Sequence, residues 1–313
     1  MVQYSQWGVL MKLFRKLTVL LLSISLLSGC ETGYYGRQSN LTTGNAFDNT
    51  WQTGMLLVEY INVGQGDSSL SIFPDGKVML IDGGEVGQGS TVLKAMEEHH
   101  IKKIDYLVAT HPHSDHIGGL AEVLSSVPTE KIIMPRIADE SVPTTLVYEN
   151  FLDAIYESNA EVIEAKSGLE IYQKNNLSVM CLAPVQKSAK NLNNYSAVIR
   201  IAYGNTSFLF TGDAENAVEK QLIKSGQTLK SNVLKAGHHG SSTASSDEFL
   251  QAVQPSYAVI SSGAGNSYGH PHDNTLKRLE KVNAQVFRTD QQGSITATSD
   301  SETIDFYTER GKS

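Results

Sequence analysis

The sequence predicts an α/β protein in which two sheets pack face to face with helices outside. Three observations lead there. Strands dominate the start of the folded region, helices follow the later strands, and neither half keeps a strict strand–helix–strand alternation. A chain of 313 residues can form one large domain or two small ones.

The run 55–61 reads as the first strand, and 69–73 and 77–82 flank the turn Pro74-Asp75-Gly76. Residues 90–100 have helical spacing, and 104–110 reads as a buried strand. That strand runs into Thr110-His111-Pro112-His113-Ser114-Asp115-His116-Ile117-Gly118-Gly119. A helix over 116–127 is expected next, with Asp115 as its cap. Residues 131–135 form a short strand, and 144–160 a helix with apolar residues at three- and four-residue steps. A second series has strands at 177–184, 196–203 and 206–212, the last two joined as a hairpin. Helices over 214–226, 245–253 and 272–282 alternate with strands at 231–237 and 256–262, and three short strands close the chain.

The first residues read as an export signal. A basic stretch, 12–16, precedes an apolar run, 17–27, too short for an ordinary membrane span, and Leu-Ser-Gly-Cys ends at Cys30. We therefore expect a signal peptide over 1–29, with Met11 as the true start. A polar tether over 30–53 and a folded domain over 54–310 follow. The Leu27–Cys30 stretch resembles a bacterial lipobox. That implies a lipidated Cys30 and an exported protein anchored to the outer face of the bacterial cell membrane.

Two cysteines, Cys30 and Cys181, cannot build a disulfide framework or a thiolate zinc cluster. A formal net charge of −8 disfavours a broad electrostatic grip on nucleic acid but leaves room for a local basic groove. The nine histidines are the stronger signal. Seven fall in three clusters, His111/His113/His116, His238/His239 and His270/His272, each just after a strand, and none lies between Ile117 and Gly237. Imidazole and carboxylate are common zinc ligands, and His-x-His-x-Asp-His presents both at one strand end.

These stretches resemble the metallo-β-lactamase superfamily, and more narrowly the hydrolase domain of the ComEC competence family. The matching segments are 63–70, 80–84, 110–120, 193–213, 234–242 and 268–272, in family order. The resemblance implies an αββα four-layer sandwich with a two-metal site at one edge, the cofactors being two divalent ions, Zn²⁺ or Mn²⁺. It implies His111 and His113 on the first metal, Asp115 and His116 on the second, and Asp213 as a bridge. One histidine of the His238–His239 pair is the last ligand; we favour His239, leaving His238 to contact phosphate or act as general acid. Many superfamily members supply a further histidine before the bridging aspartate. Here Asn193, Asn194 and Ser196 stand in that region, which leaves the first metal fewer strong ligands and opens the choice between zinc and manganese.

Asp67 and Asp82 are either turn residues or partners that orient ligand imidazoles. Tyr268 and His270 are placed to meet a phosphoryl oxygen or protonate a leaving group, and His272 starts a helix. The expected activity is phosphoester hydrolysis, by a phosphodiesterase or DNA nuclease. A hydroxide between two cations would attack phosphorus in line, with Asp115 orienting it and His238 or His270 as general acid. Single-stranded DNA, wall polymers and nucleotides are candidate substrates. The alternative is a lipid-anchored binding or assembly protein with a non-catalytic version of the fold.

Overall fold

The computed structural model describes residues 51–185 and 191–310. The expected signal peptide, Cys30 and the expected tether as far as residue 50 lie outside the described residues. In the first half, strands β1 (Leu56–Tyr60), β2 (Ser69–Ile72) and β3 (Val78–Ile81) precede helix α1 (Gly89–Glu98). Then come β4 (Ile104–Val108), α2 (Ser114–Ile117), α3 (Leu120–Ser126), β5 (Thr129–Met134), α4 (Leu146–Ser158) and β6 (Glu161–Glu164). The second half opens with β7 (Leu169–Lys174), β8 (Leu177–Ala183), β9 (Val198–Tyr203) and β10 (Thr206–Phe210). It continues with α5 (Asn216–Lys224), β11 (Val233–Lys235), α6 (Asp247–Val253), β12 (Tyr257–Ile260) and α7 (Asp273–Lys281). Last are β13 (Gln285–Arg288), α8 (Thr289–Gln292), β14 (Ile295–Ser299) and β15 (Ile304–Thr308).

Strand side chains alternate between two faces, and here both faces are apolar. In β3, Met79 and Ile81 enter one cluster while Val78 and Leu80 enter another. In β10, Phe208 and Phe210 enter the first, and Leu209 faces the other way. Such strands need cover on both sides. Among the described residues they form one sheet of eight, β15-β14-β1-β2-β3-β4-β5-β6, and one of seven, β13-β12-β11-β10-β9-β8-β7. The shared core lies between them, where Tyr60 stacks on Phe210 with ring centroids 5.8 Å apart. Helices α1, α3 and α4 cover the outer face of the first sheet, and α5, α6 and α7 that of the second. The layers are therefore αββα, as the sequence leads one to expect.

Two expectations need correction. The helix over 116–127 is broken: α2 is one turn, and α3 restarts at Leu120. A side chain on Gly118 would collide with the backbone of Glu85 and Val86, and one on Gly119 with the Gly83 carbonyl. The two glycines let the loop after β3 press onto the histidine motif. Asp115 is not a cap either; it lies inside α2, whose N-cap is His113, and points into the site. The structure also adds β6 and β7, which the sequence reading passed over. In β8 a bulge between Cys181 and Ala183 reverses the alternation, so Cys181 faces the inter-sheet core and Ala183 faces the helices.

Candidate metal centre

The parallel strands β3 and β4 of one sheet and β10, β11 and β12 of the other bring their C-terminal ends together, the usual location of sites in open α/β sheets. Asp82 follows β3, and Thr110 and the histidine motif follow β4. Asp213 follows β10, His238 and His239 follow β11, and His270 lies beyond β12.

Asp82 is fully buried at φ 60°, a backbone region that Asp and Asn tolerate better than most residues. Its Oδ1 accepts from the Thr110 amide at 2.8 Å, and its Oδ2 from Thr110 Oγ1 at 2.7 Å and His116 Nδ1 at 2.8 Å. Since the Thr110 hydroxyl hydrogen goes to Asp82, its oxygen accepts from His111 Nδ1 at 3.1 Å. His239 Nδ1 donates to the Ser261 carbonyl at 3.1 Å and also lies 3.1 Å from Asp67 Oδ1. Asp67 Oδ2 in turn meets the buried Lys235 ammonium at 2.7 Å. Each outer ring nitrogen thus has a protein partner, which fixes the ring and leaves Nε2 bare on the inner side.

The inner atoms converge on Asp213. His116 Nε2 and His239 Nε2 lie 3.2 and 3.6 Å from Asp213 Oδ1, and Asp115 Oδ2 lies 3.2 Å from His239 Nε2. On the other side, His111 Nε2 is 3.8 Å from Asp213 Oδ2 and 3.0 Å from His113 Nδ1. Ligand atoms on one tetrahedral zinc stand about 3.3 Å apart, given bonds of about 2.0–2.1 Å. His116 Nε2, His239 Nε2 and Asp213 Oδ1 are buried with no hydrogen bond among the described residues, a costly arrangement unless a cation satisfies them. These residues fit divalent ions in two groups, one of His111, His113 and Asp213 and one of His116, Asp213 and His239. Asp67 lies close enough to join the second group; its Oδ2 is engaged by Lys235, and its Oδ1 faces the outer side of His239. Asp115 reaches the inner side.

The electrostatics agree. Burial works against charge on His116, yet Asp213, Asp82 and Asp115 outweigh it and hold the imidazole well above its ordinary range. Burial is likewise overcome at His239, which Asp213 and Asp67 raise to about 10. Asp213 sits well below the usual carboxylate range despite burial, because of His116 and His239. The carboxylates thus call for positive charge at the inner atoms, where protons or divalent cations can supply it. His270 behaves differently. Burial, with His239, His238 and His272 beside it, pushes its ring down to about 4.

All six residues read as metal ligands in the sequence therefore meet at one place. Asp82 and Asp67 contact the rings of His116 and His239. Asp115, with its side chain 25% exposed, and His238 mark the open side. His270 lies alongside, its ring 5.5 Å from that of His238, with the exposed Tyr268 stacked on it at 5.6 Å. His272 is the N-cap of α7, as read, and its Nδ1 accepts from the Ser242 amide at 2.9 Å. Ser196 Oγ accepts from the Asp213 amide at 3.1 Å. The side-chain oxygens of Asn193 and Asn194 are buried without hydrogen bonds among the described residues. The sequence reading missed Lys235 and Thr110. A lysine inside the apolar run Val233-Leu234-Lys235-Ala236 was the available signal, since a buried ammonium needs an acid.

An αββα sandwich with this edge site defines a metallo-β-lactamase-type protein, and the family model for the metallo-β-lactamase superfamily matches residues 61–264. The chain belongs to that superfamily, whose members are usually metal-dependent hydrolases. Among curated relatives, ComE operon protein 3 of Bacillus subtilis is 32% identical over 255 residues, covering 76% of this chain and 32% of the relative. Competence protein ComA of Neisseria gonorrhoeae is 31% identical over 236 residues, covering 75% and 31%. The chain thus spans about a third of the length of these relatives. CmlA, a diiron beta-hydroxylase from Streptomyces venezuelae, superposes with a TM-score of 0.50 at 14% identity, over 74% of this chain and 52% of that one. That likeness concerns the fold alone.

Proposed function

We propose that this protein is a phosphoester hydrolase, a phosphodiesterase or DNA nuclease, working with two divalent cations, Zn²⁺ or Mn²⁺. The observation that carries the reading is the Asp213 carboxylate, with imidazole nitrogens facing each of its oxygens. His111, His113 and Asp213 would hold one ion, and Asp115, His116, Asp213 and His239 the other. Bound there, a cation pair supplies a water of lowered pKa and an electrophilic grip on phosphoryl oxygens.

The chain's own groups do the rest. Asp82 and Asp67 keep His116 and His239 in the tautomer with a bare Nε2. Asp115 stays ionised because His116 and His239 outweigh its burial, and on the open side it accepts a hydrogen bond from the attacking water. His238 and His270 line the same side, and proton delivery to the leaving oxygen falls to one of them. The likeness to competence proteins supports DNA among the substrates. The acidic chain weakens a broad grip on DNA, and the polar, histidine-rich mouth equally suits nucleotides or wall polymers. We further propose that the domain is exported and held at the membrane through a lipidated Cys30.

Purified protein cut at Cys30 and loaded with zinc or manganese would be screened on a chromogenic phosphodiester, a phosphomonoester, labelled single-stranded DNA and a β-lactam. Phosphodiester or DNA cleavage that vanishes in His113→Ala and Asp213→Ala, with folding retained, is expected. Two bound ions without phosphoester turnover would refute the substrate class, and no bound ion would refute the metal reading.

A further inference from the structure

The two groups of inner atoms differ in one respect. Asp213 Oδ1 faces two imidazoles, His116 and His239, whereas the ion group on Oδ2 contains only His111 and His113 from a single loop. A second strand end nevertheless reaches Oδ2. His238 Nε2 lies 3.7 Å from it, matching the 3.8 Å of His111 Nε2. The carboxylate therefore has four Nε2 atoms around it, two to each oxygen, and each pair joins one ring from the β4 loop with one from the β11 loop.

His238 is supported as the other three rings are. Its Nδ1 is 3.2 Å from Thr243 Oγ1 and 3.4 Å from Glu215 Oε1. The Thr243 hydroxyl donates to Glu215 Oε1 at 3.0 Å, so its oxygen is the acceptor for Nδ1–H. Glu215 Oε2 accepts from Asn191 Nδ2 at 2.7 Å. An outer acceptor backed by a carboxylate is what Thr110 and Asp82 give His111, and such outer partners are typical of metal-binding imidazoles.

The backbone points the same way. His238 and His239 are consecutive residues at φ 50° and 54°, a left-handed region that L residues other than Asn and Asp rarely adopt. Two such residues in a row send adjacent side chains to opposite sides of one carboxylate. The surroundings hold this turn. The His238 amide donates to the Gly212 carbonyl at 3.1 Å, and Arg278 donates to the Ser242 and Ala244 carbonyls at 3.2 and 2.9 Å. Glu219 accepts from the Ser245 and Ser246 amides. Strain kept by such a frame marks a functional constraint.

We infer that His238 is a ligand of the first ion, completing a set of His111, His113, His238 and Asp213, with Glu215 and Thr243 as its positioning residues. This rests on the two-ion reading above and revises the sequence expectation that His238 delivers a proton. It leaves His270 as the imidazole that meets the leaving group.

The test is metal binding rather than turnover. Metal-free protein would be titrated with ¹¹³Cd²⁺, and ring nitrogens coupled to cadmium counted by ¹⁵N-histidine NMR. Five coupled rings, from His111, His113, His116, His238 and His239, are expected; four, with His238 uncoupled, would overturn the assignment while leaving the two-ion reading intact. Binding of no cadmium or zinc would sink both. His238→Asn, chosen because Asn tolerates positive φ, should weaken the first ion at least 10-fold and leave the second within 3-fold. Glu215→Gln should weaken the first ion by a smaller factor. Unchanged affinity for both ions in a folded His238→Asn protein would also overturn it, and the count on the unsubstituted protein decides the matter should that variant not fold.

Discussion

Asp82→Asn tests whether outer hydrogen bonds set the metal affinity. In the native site, Asp82 takes three hydrogen bonds: the Thr110 amide at 2.8 Å, the Thr110 hydroxyl at 2.7 Å and His116 Nδ1 at 2.8 Å. An amide of the same shape keeps the first through its oxygen. Its NH₂ then faces the two donors that Oδ2 received. His116 can pair with it only by presenting a bare Nδ1, which moves the ring proton to Nε2, the atom that faces Asp213. The Thr110 hydroxyl must likewise become an acceptor, and its hydrogen turns toward His111 Nδ1. One substitution therefore reverses a tautomer in each ion group. Losing such an outer partner weakens metal binding about 10- to 100-fold, or roughly 1.4–2.7 kcal/mol per ion. The fold should survive, since Asn accepts φ 60° and burial already pushes this carboxyl up toward its neutral form. Competition against a fluorescent zinc chelator reads the affinity, and urea melts in EDTA read the stability. Wild-type affinity for both ions in a folded variant would show that Asp82 does not orient these rings.

Three further outcomes follow from the packing and charge. Phe210→Ala removes a fully buried ring that stacks on Tyr60 between the sheets, and should cost about 3–5 kcal/mol in chemical denaturation; a loss below about 1 kcal/mol would contradict the described core. Gly119→Ala should destabilise the protein and lower zinc affinity together, because the new methyl must displace the Gly83 carbonyl next to Asp82; an unaltered melt and affinity would argue against that close approach. Asp105 remains below its ordinary value near 3.8, because the Val78 amide, Lys77 and Lys103 outweigh its burial. Its folded pKa is depressed, so its stabilising effect is present above pH 3.8 and disappears as pH falls through the folded value. The deficit in Tm of Asp105→Asn should be largest at pH 7 and shrink at pH 3, and a deficit independent of pH would reject the ion pair as its source.

Short continuous apolar runs bounded by turn residues, as in segments 77–82 and 206–212, made the buried strands readable. The edge strands escaped for the opposite reason. Glu161–Glu164 and Leu169–Lys174 are polar or half exposed, and they are strands only because β5 and β8 offer hydrogen bonds from elsewhere in the chain. The break after Ile117 was hidden as well, since glycines in a helical pattern do not disclose which distant backbone lies against them. The histidine motif, Asp213 and the histidine pair stood out by composition and spacing. Nothing local distinguishes His238 from His239. Only the Asp213 carboxylate between them, brought from another strand, shows that each ring attends a different oxygen.

The ligating atoms come from both sheets: the β4 loop belongs to one, and Asp213 with the β11 loop to the other. Apart from this edge, the two sheets meet largely through apolar side chains, which grip without direction. Cations shared across the seam would act as a clasp, adding a stability set by their free concentration relative to their Kd. Sequestering them should loosen the seam as well as silence the chemistry, so that availability of metal would govern how long the folded domain endures.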